Sequence, residues 1–294
     1  MEIVAVCPGV AVLRGGVNLG VLVAEGEAVF VDAGLDEGAA RRLWRWAEEK
    51  GLRPRAALLT HAHADHFGGA HFWEGKGLPL WAPPMEAAGM RHPLWEPIFL
   101  FSGASPLPAL RGKFTLAQPL RTVNPVEPGP LDLGPVRVEV VALPGHAPEQ
   151  VGVAADGVLF CADALFPPEI LAKHPIPFCY DLAQALRSLE KVRAYAHVVP
   201  GHGAPLREAA VACAARTLQD RLLAVAEEVE RALALPRTGE ELVGALVQAF
   251  GVRNLDLVGF LLARTTVFAS LSFLVAEGRA EPIVEGGRLL WRRK

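Results

Sequence analysis

The run Thr60-His61-Ala62-His63-Ala64-Asp65-His66 constrains this chain more than any other feature. It packs four potential metal ligands into six residues, and holds three of only nine histidines in 294 residues. The run follows Arg55-Ala56-Ala57-Leu58-Leu59, a short apolar stretch that reads as a buried strand. It precedes Phe67-Gly68-Gly69-Ala70, which reads as a turn into a helix. A strand that ends in a ligand-rich loop can aim several side chains at one point while the sheet fixes the backbone. Imidazole nitrogen with carboxylate oxygen suits zinc, iron or manganese better than calcium or magnesium.

Three later segments repeat this grammar. Leu143-Pro144-Gly145-His146-Ala147-Pro148, Phe160-Cys161-Ala162-Asp163 and Pro200-Gly201-His202-Gly203 each follow a short apolar run. Glycine beside His146 and His202 lets the backbone bend close to an ion. A lone Gly-His or Ala-Asp would carry little; the order and shared context carry the reading.

The set His61, His63, Asp65, His66, His146, Asp163 and His202 resembles the metallo-β-lactamase-fold hydrolase superfamily, and its glyoxalase II-like branch most. Val31-Asp32-Ala33-Gly34 also resembles that family's Asp-x-Gly turn. The likeness covers residues 1–203 and implies an α/β protein, an αββα sandwich with two sheets face to face and helices outside. It implies His61, His63 and His146 on one ion, Asp65, His66 and His202 on a second, and Asp163 bridging both. Two divalent ions, zinc first with iron or manganese as alternatives, would make hydroxide available near neutral pH. Asp65 could also guide the proton of the shared water. Asp32 would accept a hydrogen bond from a ligand imidazole and fix its orientation; a hairpin-capping aspartate is the other reading.

Composition agrees with a folded enzyme. Apolar residues make up 51% and charged residues 21%, and the net charge of −3 argues against a general polyanion-binding surface. No apolar run suggests a membrane span, and Met1-Glu2-Ile3-Val4 lacks the basic region of a signal peptide, so the cytoplasm is the expected location. Cys7, Cys161, Cys179 and Cys213 form no Cys-x-x-Cys pair, and Cys161 reads as a packed thiol. Arginine outnumbers lysine 23 to 6, proline reaches 24, and asparagine and methionine occur three times each, a bias that fits a thermophile.

Periodicity predicts strands at 2–7, 10–13, 18–24 and 27–32, a helix over 36–50, then strand, helix, strand at 55–60, 66–74 and 78–82. From Pro83 to Pro135 the pattern dissolves into proline-rich sequence, expected to be an irregular wall or lid with Phe99, Leu100 and Phe101 shielding the site. Strands resume at 136–142, 151–155 and 158–161, followed by a helix over 182–193. Residues 204–294 form a second region: a long helix over 209–235, a helix over 240–250, a helical pair over 255–277, and a hairpin around Glu285-Gly286-Gly287. This order resembles a winged-helix module.

That tail carries 12 Arg and Lys against 11 Asp and Glu, and its would-be recognition helix is mostly apolar. Phosphate neutralisation needs several cations on one face. Phe260, Leu261, Phe268, Leu271 and Leu274 are therefore expected to pack on the catalytic domain or in a homodimer, without nucleic acid. A small-molecule substrate is expected: an ester, thioester, lactone or phosphodiester. Glyoxalase II enzymes carry a Gly-Cys-Gly-Arg-type run after the bridging aspartate, where this chain has Leu165-Phe166-Pro167-Pro168-Glu169. Two rival readings are a mononuclear iron persulfide dioxygenase using His61, His146 and Asp163, and an RNA-processing nuclease or nucleic-acid binder acting through the tail.

Overall fold

The computed structural model describes residues 2–294. The first sheet runs in the order β1 (Glu2–Cys7), β2 (Val10–Arg14), β3 (Leu19–Ala24), β4 (Glu27–Val31), β5 (Arg53–Leu58), β6 (Leu80–Ala82) and β7 (Asn124–Pro125). Helix α1 (Glu37–Glu49) crosses between β4 and β5. Short helices α2 (Ala64–Phe67) and α3 (Ala70–Gly75) cross between β5 and β6. These crossovers make β4, β5, β6 and β7 parallel. Helices α4 (Pro84–Arg91) and α5 (Trp95–Leu100) and a 3-10 turn at Pro108–Leu110 follow β6. The second sheet is ordered β13-β12-β11-β10-β9-β8, built from β8 (Gly129–Leu133), β9 (Val136–Ala142), β10 (Val151–Ala155), β11 (Val158–Ala162), β12 (His197–Pro200) and β13 (Leu206–Arg207). Helices α6 (Pro168–Lys173) and α7 (Leu182–Arg193) join β11 to β12.

Period-2 alternation builds three cores from one set of strands. Val10, Val12, Val29, Val31 and Leu58 of the first sheet meet Val138, Val140, Val153, Val158 and Phe160 of the second in the space between the sheets. The intervening residues, such as Val21, Phe30 and Ala57, face outward under Leu43 of α1 and Trp73 of α3. On the far side Leu159, Cys161 and Val198 face α7. The expected αββα sandwich is therefore what these strands build.

The long helix α8 (Ala209–Ala232) completes that far layer: Val211, Ala214, Leu218 and Leu222 share a core with Leu159, Leu189 and Val198. Helices α9 (Gly239–Ala249) and α10 (Leu257–Ala276) pack on the remainder of α8, and β14 (Ala280–Glu285) pairs with β15 (Arg288–Arg293) in the closing hairpin.

Several expectations need correction. Residues 83–135 are not one irregular wall, because α4, α5, β7 and β8 lie within them. Proline was read there as a breaker, yet Pro84 opens α4, where its missing N–H costs nothing. Phe99 is 71% exposed, while Leu100 is buried against Leu110 and Leu261 with Phe101 beside them. Leu100 and Phe101 therefore dock the C-terminal region, while Phe99 faces solvent. The expected helical pair over 255–277 is one helix, α10, long and apolar enough to cross a membrane, with a mean hydropathy of 1.8. Requiring an uninterrupted apolar run missed it, since Arg264 stands inside; that guanidinium donates to the Leu100 carbonyl at 2.6 Å. Leu261 and Phe260 of α10 reach the catalytic region, whereas Leu271 and Leu274 pack against α8 and α9, and Phe268 lies edge-on to Trp291.

Candidate metal centre

The ends of β5, β9, β11 and β12 bring all seven candidate ligands to one edge of the sandwich. Their ligand atoms fall into three groups, each within 4.8 Å: His61, His63 and His146; His61, His66 and Asp163; Asp65, His66 and His202. In the first, His63 Nδ1 lies 3.1 Å from His61 Nε2 and 2.9 Å from His146 Nε2. A neutral imidazole offers one donor and one acceptor, so protons alone cannot satisfy three converging nitrogens. Asp163 Oδ1 lies 3.2 Å from His66 Nε2, and its Oδ2 lies 3.4 Å from His146 Nε2 and 3.5 Å from His202 Nε2. His66 Nε2 and Asp163 Oδ1 are buried with no hydrogen-bond partner. Orphaned buried polar atoms of this kind fit divalent cations.

The surrounding bonds set each ring's direction. Asp32 Oδ2 lies 2.8 Å from His66 Nδ1, and Asp32 accepts from the Thr60 N–H at 2.8 Å and from its hydroxyl. Thr60 Oγ1 is 3.1 Å from His61 Nδ1. With the hydroxyl proton on Asp32, that network assigns the His61 proton to Nδ1 and turns a bare Nε2 inward. Asp32 thus stands within hydrogen-bond reach of both Thr60 and the His66 ring. Its φ of +60° is left-handed, a conformation costing about 1–3 kcal/mol that its hydrogen bonds hold in place. His202 Nδ1 lies 2.7 Å from the Gly16 carbonyl, which leaves Nε2 pointing at Asp65 and Asp163.

Two residues that sequence reasoning missed hold the ligand loops. Glu86 of α4 is 3% exposed and accepts from the Ala62 N–H at 2.8 Å and the Glu149 N–H at 2.9 Å. Glu149 in turn accepts from the Met85 N–H at 2.7 Å. One carboxylate therefore ties the His61–His63 loop to the His146 loop. Asn18 donates to the carbonyls of Pro200 and Gly203 at 2.9 and 2.8 Å, fixing the turn that carries His202. At Gly201 an added Cβ would stand 2.1 Å from Asp163 Oδ1, so only glycine lets this turn pass the carboxylate. Neither polar contact has a local pattern: each joins residues far apart in sequence.

Electrostatics separate the two halves. Burial lowers the pKa values of His61 and His63 and pushes His146 down to about 3, so these rings are neutral near pH 7. Burial is the largest single influence on His66 and His202 and opposes their charge, but Asp163 and the other carboxylates together outweigh it at both. Asp32 and Asp65 add to the effect at His66, which is raised well above its usual range, and Asp65 adds at His202, raised to about 10. Asp163 is held well below the carboxylate range by His66, His202 and His146, against burial.

Aromatic rings border the centre. Phe178 lies 5.3 Å from the His63 ring and 5.2 Å from that of His146; Phe166 lies 5.7 Å from His146 and 6.2 Å from His202. Other histidines serve elsewhere, as His71 does in bonding Glu37 and the Gly68 carbonyl. A cavity of about 960 Å³ lies beyond Gly68, between α1 and the α4–α5 corner, and includes Leu35, Arg91, Trp95 and Lys113. None of the seven ligands lines it, so the site is assigned from ligand geometry and not from cavity size.

Residues 12–202 match the family model of the metallo-beta-lactamase superfamily. The chain belongs to that superfamily. Among curated members, the hydroxyacylglutathione hydrolase of Vibrio cholerae is 29% identical over 133 residues, 45% of this chain and 41% of its own length. The chain thus spans under half the length of that relative. Among solved structures, a metallo-beta-lactamase family protein of Thermus thermophilus is 25% identical with TM-score 0.77, over 99% of this chain and 100% of its own. A beta-lactamase domain protein of Burkholderia ambifaria is 25% identical with TM-score 0.81, over 100% and 94%. Residues 12–202 thus form a metallo-beta-lactamase superfamily region whose sequence is similar to that of hydrolases.

Proposed function

We propose that this metallo-hydrolase works with two divalent ions, zinc in the first instance, on an ester, thioester or lactone of a small molecule. The observation that carries the reading is Asp163, whose Oδ2 lies between His146 of one group and His202 of the other while Oδ1 lies beside His66. A carboxylate so placed suits a bridge between two cation sites. His61, His63 and His146 would hold one ion, and Asp65, His66 and His202 the other. Such ions supply Lewis acidity and an activated water at neutral pH.

The chain's own groups do the remaining work. Asp32 and Thr60 hold His66 and His61 in one tautomer, so neither ring has to reorient during turnover. Asp65 is half-buried beside His202 and stands at the open side, where it can receive a proton from water or pass one to a leaving group. Phe166 and Phe178 reduce water access beside His63 and His146.

The thioester named for the Vibrio relative is one member of this substrate class. Leu165 to Glu169 differ here from the glyoxalase II run, which favours another acyl compound. The division at 203/204 is retained as a catalytic region plus a packing module, with dimerisation as that module's further role. Metal analysis with a chromogenic panel of thioester, lactone, phosphodiester and lactam tests the proposal: about two redox-silent ions per chain and acyl hydrolysis are expected. About one iron per chain with sulfur oxidation would replace it with the dioxygenase reading.

A further inference from the structure

The candidate metal centre has an apolar flank. On the His146 side stand Phe166 and Phe178, both half-buried, with ring centroids 5.2 to 5.7 Å from the His146 ring. Between them a slot of about 20 Å³ touches His146 and Asp163 and is backed by Leu189, Leu218 and Leu222. That is room for a methyl-sized group, and anything longer would lie along the half-exposed ring faces. A phosphoryl substrate gains from further cations around its oxygens, whereas this flank presents two phenyl rings.

We infer that Phe166 and Phe178 form the subsite for the apolar acyl group of the substrate, and so select short-chain acyl compounds over phosphodiesters. This rests on the metal-dependent hydrolase reading above. An acyl chain laid between two rings leaves water on both sides. Transfer of apolar surface then sets a ceiling of about four-fold in affinity for each methylene buried.

The test is calorimetric titration of the metal-loaded protein with acetate, butanoate and hexanoate, the product-like carboxylates, and with inorganic phosphate. Binding that strengthens from acetate to hexanoate is expected, with a weaker gain per methylene in Phe166→Ala and Phe178→Ala at unchanged metal content. Phe166→Leu and Phe178→Leu, which keep apolar bulk for folding, should retain part of the gain, and Phe99→Ala all of it. The inference is overturned if wild type shows no chain-length gain, if the gain survives in the alanine variants, or in the leucine variants unreduced should the alanine ones not fold. Metal loss with the gain intact, or phosphate binding tighter than hexanoate, overturns it as well. A protein that takes up no metal, or binds acetate equally without it, removes the hydrolase reading itself. Metal-dependent acetate binding with no chain-length gain removes only the acyl subsite.

Discussion

Asp32 and His66 meet at 2.8 Å in the interior, carboxylate Oδ2 against ring Nδ1, both fully enclosed by the protein. The contact presents Nε2 of His66 to Asp163 and draws the end of β4 against α2. Asp32→Ala would leave that ring nitrogen unpaired, and loss of such an outer partner typically lowers metal affinity by about 10- to 100-fold. Competition with a chromophoric chelator should show weaker binding of one ion and a near-normal second. Equal affinity for both ions in Asp32→Ala would mean that the contact only supports the fold.

Asp163→Asn should weaken both sites together, since it removes the charge shared between them. Metal stoichiometry and hydrolysis should fall in parallel. A fully loaded and active Asp163→Asn protein would return Asp163 to a structural role.

Glu86→Ala should strip acceptors from the Ala62 and Glu149 N–H groups, at about 1–3 kcal/mol for each donor left buried without a partner. Chemical denaturation should record that loss. Metal titration should show the ion of His61, His63 and His146 weakened more than its neighbour, and Glu86→Gln, which keeps one carbonyl acceptor, should lie between. Equal weakening of both ions would separate Glu86 from the ligand loops.

The two ions should differ in pH dependence. His61, His63 and His146 are lowered and bind without giving up protons near pH 7, whereas His66 and His202 are raised and must each release one. Because a proton and a metal compete for the same nitrogen, affinity for the second ion rises with pH, by roughly ten-fold per displaced proton per unit. The rise should persist up to the His202 value of about 10 and reverse sign nowhere below it. Calorimetry in buffers of different ionisation enthalpy would count the protons; equal release at both sites would contradict this assignment.

Removal of residues 204–294 should produce an aggregating protein, because Val211, Leu218 and Leu222 cover Leu159, Leu189 and Val198. Light scattering would register this, and a soluble, monomeric truncation with unchanged melting temperature would show that α8 is dispensable to the sandwich.

The clustering of these His and Asp side chains was legible in the sequence because metal chemistry needs few residue types, and strand ends present them at recognisable turns. His61 to His66 even share a single loop. Glu86 was not legible: its partners lie 24 and 63 residues away, and no periodicity relates them. Phe166 was noticed as a departure from a family run, while Phe178 carried no signal, since only the folded chain brings it to His146. The helical content of 84–100 was hidden by prolines, whose meaning reverses between the first turn of a helix and its middle.

The placement of α8 has a consequence for biosynthesis. The second sheet is complete once β12 and β13 have left the ribosome, but the helix that covers much of its outer face follows them. At about 5–20 residues per second, the nascent chain carries an uncovered apolar strip for seconds before α8 can dock. Translation speed across Ala209–Ala232, and chaperone occupancy during that interval, would then govern yield before any metal is bound.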